Sequence, residues 1–268
     1  MLASLFAADL RRAVLRGLPL FLLAFCAAAA TLTAFSENGA WVCVWAGEGG
    51  TNAWGFYPPT YGDAGLLATG VPEGVSARAF ALSAAAVAHT GLFPLASVVF
   101  LHRFYFEEVR SGGHLVSLAR GVPRGRLFLS KLVVGSLLLQ GAYVALTLFE
   151  VAWLLAPSGF VDAGSVLQCV LRRVPLNLAV NQSYILFCMA AYSWLPNGPS
   201  AAGFLVVATI AGLVAKVAIP TGFAPTHMGL WIQACGMSWS DISSSLALMA
   251  MLSCVPLYVV AYLGMRRI

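Results

Sequence analysis

Apolar residues gather into six long blocks along the chain, at about residues 17–35, 80–101, 132–156, 176–195, 201–220 and 243–264. Each approaches or exceeds the ~20 residues of helix that cross a bilayer. None shows the strict two-residue alternation of an outer-membrane barrel strand, so helices, which satisfy their own backbone groups, are predicted. The fourth block opens with Asn177, Asn181 and Gln182 and is the most polar, although "YILFCMAAYSWL" completes it. The first follows Arg11, Arg12 and Arg16 as a signal peptide would, but with five more blocks behind it the anchor reading is preferred.

Between the blocks, other patterns appear. Residues 1–17, "MLASLFAADLRRAVLRG", place Leu2, Leu5, Phe6, Leu10, Ala13 and Val14 at helical spacing and turn Asp9, Arg11 and Arg12 away. That suits an interfacial helix lying on the membrane surface, or the start of the first span. Residues 36–79 form an outer loop in which "GEGG", "YPPTYGDAG" and "VPEG" mark turns, and Trp41, Trp45, Trp54 and Tyr57 offer aromatic surface. A small lid and simple packing at the membrane interface are both open readings of it.

Composition agrees with the pattern. Sixty per cent of the 268 residues are apolar and 9% are charged, with a mean hydropathy of +0.86; soluble domains average about 25% charged. Charge then orients the chain, because Lys and Arg in short loops stay on the cytoplasmic side. With the N-terminus inside, eleven basic residues (Arg11, Arg12, Arg16, Arg103, Arg110, Arg120, Arg124, Arg126, Lys131, Arg266 and Arg267) lie inside. Three, Arg78, Arg172 and Arg173, lie outside, and Lys216 falls within the fifth block. Both termini are therefore expected in the cytoplasm of a multi-pass protein of the plasma membrane. Arg172 and Arg173 run against this tally and suggest a short outer-surface helix before the fourth span.

Catalytic patterns do not emerge. The four histidines are scattered, and CxxC, HExxH, GxSxG and the phosphate-binding GxxxxGK[ST] do not occur. Cys26, Cys188 and Cys254 read as apolar fillers, whereas Cys43, Cys169 and Cys235 fall outside and leave one disulfide open. The chain is expected to be no enzyme, to bind no metal and to hold no nucleotide itself.

The most heavily charged long passage is "FYFEEVRSGGHLVSLARGVPRGRLFLSK", Phe104 to Lys131, with five of the fifteen Lys and Arg residues. Within the cytoplasmic loop 102–131, "FYFEEVR" continues the helical spacing of the second block until Gly112 and Gly113 break it. Leu115, Leu118 and Val122 then share one face of about two turns, Pro123 and Gly125 interrupt, and "RGRLFLSK" leads back into lipid. A positive loop obeying the inside rule explains the arginines, but not Glu107, Glu108, the double glycine or the short amphipathic helix.

The order Glu108, Gly112, Leu115, Leu118, Val122-Pro123, Arg126 and Lys131 resembles the coupling loop of ABC-2-type transporter permease subunits. The layout of spans and the length add to the likeness, and among such permeases the short ones of bacteriocin and lantibiotic self-protection exporters, in the bacterial cytoplasmic membrane, are the most similar in size and in the "SWLPNGPSAAG" link. The resemblance implies an all-α integral membrane protein of six transmembrane helices, with an N-terminal interfacial helix and a cytoplasmic coupling helix. It also implies a function: coupling ATP hydrolysis by a separate ATPase dimer, which would hold the ATP and Mg, to export of a peptide antibiotic or amphipathic compound, beside a second permease and membrane lipid. Glu107, Glu108, Gly112, Gly113, Leu115, Leu118, Pro123, Arg126 and Lys131 would form the coupling loop. A stand-alone secondary transporter or a membrane scaffold is the alternative. Polar residues inside the blocks, His89, Asn181, Gln182, Glu150 and Lys216, are the candidates for a pathway, because intramembrane polar groups face protein or a cavity. Glu150 and Lys216 lie near the outer surface, where a salt bridge and a role-free position are both open.

Overall fold

The computed structural model describes residues 2–35, 79, 82, 83, 86, 93–156, 159–161, 163–195, 197–218 and 244–267. The expected outer loop, residues 36–79, lies almost wholly outside these, as do His89, Cys43 and Cys235. Nine α-helices fill the described residues: α1 (Leu2–Leu15), α2 (Leu18–Phe35), α3 (Phe93–Leu101), α4 (Glu107–Arg110), α5 (Gly113–Ala119), α6 (Arg124–Leu155), α7 (Ala163–Trp194), α8 (Gly198–Ala218) and α9 (Ser244–Arg267). A π-helical turn, His102–Phe106, joins α3 to α4.

Local chemistry accounts for the breaks. Gly17, between α1 and α2, has φ +69°, and Gly112, between α4 and α5, has φ +73°, a left-handed backbone that costs glycine little. Pro123 stands extended at φ −61° and ψ 138° just before α6, where a missing N–H removes no helical bond. The π turn inserts one extra residue per turn and so rotates α4 about the helix axis relative to α3. Glu108 and Val109 consequently face the interior while Glu107 and Arg110 face out.

The core is strongly aromatic. Phe100, Phe104, Tyr105, Phe128, Tyr184 and Tyr192 are all buried, and Phe128 meets Tyr105 edge to face at 6.5 Å and Tyr258 at 5.4 Å. The α7 and α9 helices pack closely through Gly264, where a Cβ would come within 2.6 Å of Ser193 Cβ. A second apolar cluster joins Ala79, Leu82 and Ala86 to Val151 and Leu155 of α6 and Val166 and Val170 of α7.

The six-span expectation is corrected here. Among the described residues one helix, α6, is long and apolar enough to cross a membrane. The continuous described stretch of the second block, α3, has nine residues, about 13 Å of helix. The fourth block is no separate element: it continues the basic segment before it as one helix of 32 residues, α7, with Pro175 inside and Asn177, Asn181 and Gln182 along it. The apolar part of α8 runs only from Gly198 to Ala211. The described residues therefore form a helical bundle with one candidate membrane helix, and not the six-helix architecture of an ABC-2-type permease. The exporter function, the stand-alone transporter and the multi-pass location with both termini cytoplasmic all required several spans and are corrected with them, as are the terms transport, permease and antibiotic resistance.

Large apolar side chains nevertheless remain exposed on the helices, among them Leu20, Leu23, Leu137, Trp153, Val207 and Val255. On α6 only 33% of the most apolar stretch is buried, whereas the core helix of a bundle would be mostly covered. Contiguous exposed apolar surface marks a membrane or protein contact.

Candidate functional site

Five charged side chains from α1, the turn after it, α4 and α6 meet at the point where the chain leaves α4 for α5. Lys131 Nζ lies 2.7 Å from Asp9 Oδ1 and 2.7 Å from Glu108 Oε2, and all three side chains are at most 3% exposed. The approach to Glu108 is an ion pair by distance, off the line of a hydrogen bond. Ser130 donates to the other Asp9 oxygen at 2.6 Å. Arg12 donates to Glu108 Oε1 at 2.8 Å, and Arg16 lies 3.8 Å from Glu108 Oε2 while donating to the Arg103 carbonyl at 3.1 Å. Lys131 Nζ also sits 4.9 Å above the Phe104 ring.

Electrostatics explain why these groups gather. A buried ion loses several kcal/mol of hydration, about as much as its attraction to one partner returns, so lone pairs are tolerated only when well bonded. Here two carboxylates face three cations, with Arg12 and Arg16 at the rim where water reaches them. The cluster pins α1 to the head of α6 and to the turn that launches α5. This corrects the outward placement of Asp9: α1 forms as expected, but Asp9 faces inward because Lys131 and Ser130 receive it, and the apolar Val14 and Leu15 are left exposed.

The double glycine has two separate jobs. Gly112 supplies the left-handed turn. Gly113 lets α5 approach Glu108, because a Cβ there would lie 3.1 Å from Glu108 Cγ. At its far end α5 stops in a Schellman motif, with Val122 N–H to the Ser117 carbonyl at 3.1 Å, Gly121 N–H to Leu118 at 2.9 Å, and Gly121 at φ +78°.

Held in this way, α5 is inside out. His114 and Ser117 are buried, while Leu115 and Val116 are each 54% exposed. Among the described residues neither ring nitrogen of His114 has a hydrogen-bond partner. Leu115 and Leu118, expected on one face, separate: Leu118 is half-buried, and the outward face runs through Leu115, Val116 and Ala119.

The structure thus brings Glu108, Gly112, Gly113 and Lys131 together, and leaves Glu107, Pro123 and Arg126 exposed outside the cluster. Asp9, Arg12, Arg16 and Ser130 were missed as site residues, although Asp9, Arg12 and Arg16 fall at i, i+3 and i+7, one face of a helix. Of the polar candidates within the blocks, Glu150 is buried on α6, and Asn181 is buried with Gln182 half-buried on α7. Lys216 belongs to α8, and its side chain, like His89, lies outside the described residues. Asn177 donates to the Tyr143 hydroxyl at 2.8 Å and Gln140 to the Leu178 carbonyl at 2.9 Å, tying α6 to α7. Below the cluster, Tyr105 donates to Ser193 Oγ at 2.6 Å, since Ser193 gives its own proton to the Met189 carbonyl. Burial pushes the Tyr105 phenol up to about 12, with the Ser193 hydrogen bond opposing. Among the described residues no group of three or more His, Cys, Asp or Glu side chains could hold a metal.

No family model matches the chain, and no curated protein matches it significantly.

Proposed function

We propose that this protein is a non-catalytic, membrane-anchored docking protein: α6 anchors it, and α5 presents Leu115 and Val116 to a partner protein. The observation that carries the reading is the reversed burial of α5, polar side in and apolar side out, on a base fixed by the ionic cluster. Leaving two such side chains in water forgoes roughly 1.5–3 kcal/mol each for full burial, so a face of this kind is stabilised by what covers it. The cluster has a supporting role only. Both carboxylates are committed to Lys131, Ser130 and Arg12, which suits them to hold a helix in place and not to move protons. Anchoring by α6 is supported by its 32 residues, about 48 Å of helix against a hydrocarbon core of ~30 Å, with Arg124 and Arg126 at one end.

A photo-reactive residue placed at position 115 in cells should give one predominant protein adduct, and the exposed Arg120 position should give much less. Leu115→Asp with Val116→Asp should abolish recovery of the same protein while helicity and membrane abundance are kept. The ATPase dimer and second membrane chain that the resemblance implied as partners are among the adducts this would identify. Equal labelling from positions 115 and 120, or an interaction indifferent to the double substitution, would remove α5 as the docking element.

A further inference from the structure

A cavity of about 200 Å³ opens on the opposite flank of α4, between that helix, the end of α7 and the end of α9, lined by Val109, Arg110, Tyr192, Ser193, Trp194, Leu195 and Arg267. None of these carries a negative charge. Most of its polar atoms are already committed: Tyr192 donates to the Val98 carbonyl, Ser193 to Met189 and Trp194 to Val260, each at 2.8 Å. The two guanidinium groups are what remains. Arg267 is stacked 4.1 Å above the Trp194 ring and Arg110 lies 5.6 Å above Phe106, so aromatic faces hold both without using up their N–H donors. Among the described residues neither has a carboxylate partner. Arg124 donates to the Arg266 carbonyl at 3.0 Å, which fixes the end of α9 beside the cavity.

We infer that this cavity binds a phosphate group, and that the phosphate is carried by an anionic lipid headgroup. Two planar guanidinium forks match the several oxygens of a phosphate better than one carboxylate would. Apart from Ser193, whose proton goes to Met189, the rest of the lining is apolar or aromatic, and Leu263 and Val260 of α9 continue outward from it as exposed apolar surface, where acyl chains can lie. Trp194, 42% exposed and bonded to α9, has the mixed character of a ring at a membrane interface. Free phosphate offers the same oxygens without the apolar body, so it is the alternative source. Glu107, three residues before Arg110, is exposed but does not line the cavity.

The test uses the full chain in neutral detergent, with bound lipid read by native mass spectrometry during titration with phosphatidylglycerol, with phosphatidylcholine of the same chains, and with inorganic phosphate as competitor. Phosphatidylglycerol should bind in preference to phosphatidylcholine. Arg110→Gln or Arg267→Gln should each weaken it about five-fold, and the pair about 30-fold. Circular dichroism of the variants should match the unaltered protein, since neither arginine is buried. Equal binding of the two lipids, or a double variant within two-fold of the parent, would overturn the site. Displacement of the lipid by inorganic phosphate at equal concentration would overturn the lipid assignment and give the cavity to a soluble phosphate.

Discussion

Replacing Lys131 by Met should be among the most damaging single changes this protein can undergo, though Met nearly matches its volume. Lys131 is the only cation that is itself buried in the cluster, at 2% exposure, and it touches both Asp9 and Glu108. Without it Asp9 keeps Ser130 at 2.6 Å and a long 3.5 Å contact with Arg12, and Glu108 keeps Arg12 at 2.8 Å and the exposed Arg16 at 3.8 Å. Stranding a buried charge in this way costs about 3–5 kcal/mol, a large part of the ~5–15 kcal/mol that holds a typical domain together. Arg12→Gln removes a cation whose side chain is 40% exposed, where water screens the pair, and should cost about 1 kcal/mol or less. Neutralising the whole buried set, as Asp9→Asn, Glu108→Gln and Lys131→Met together, should recover most of the loss, because no buried charge is left without a partner. Denaturant unfolding in mild detergent, followed by circular dichroism, measures all three. The reasoning is refuted if Lys131→Met and Arg12→Gln cost the same, or if the triple variant is less stable than Lys131→Met alone.

Packing and titration give two further outcomes. Gly264→Ala places a methyl 2.6 Å from Ser193 Cβ and 2.7 Å from Trp194 Cδ1, so α9 must shift from α7; the cost should be about 1–3 kcal/mol, with a change in tryptophan emission, and unaltered emission and stability would show that the helices are not this close. Because the folded Tyr105 phenol is raised from 10 to about 12, its contribution is complete below pH 10 and is lost as pH rises through about 12. Over that interval the parent should lose stability more steeply than Tyr105→Phe, and parallel pH profiles for the two would place the titration elsewhere.

Much of the local structure could be read from residue order. Among the described residues helices stand where the apolar blocks lie, Gly112 and Pro123 break the chain where their backbone preferences require, and the short helix between them is visible in its spacing, though not which of its sides is buried. These are properties of neighbouring residues, and local sterics and periodicity determine them. Hydropathy along a chain, however, does not say which elements merge or what each side chain faces. The polar start of the fourth block and the basic segment before it form one helix, α7, and one helix among those described qualifies as a span where hydropathy marks six blocks. The site was legible only in part. Glu108 and Lys131 stand out as charges beside a double glycine, but their meaning depends on Asp9 and Arg12, and Arg12 and Glu108 are 96 positions apart while Lys131 and Asp9 are 122 apart. Whether a carboxylate on an amphipathic helix points to water or to the core is settled by the energy of desolvation against the partners that await it, and only the folded chain brings those partners within reach.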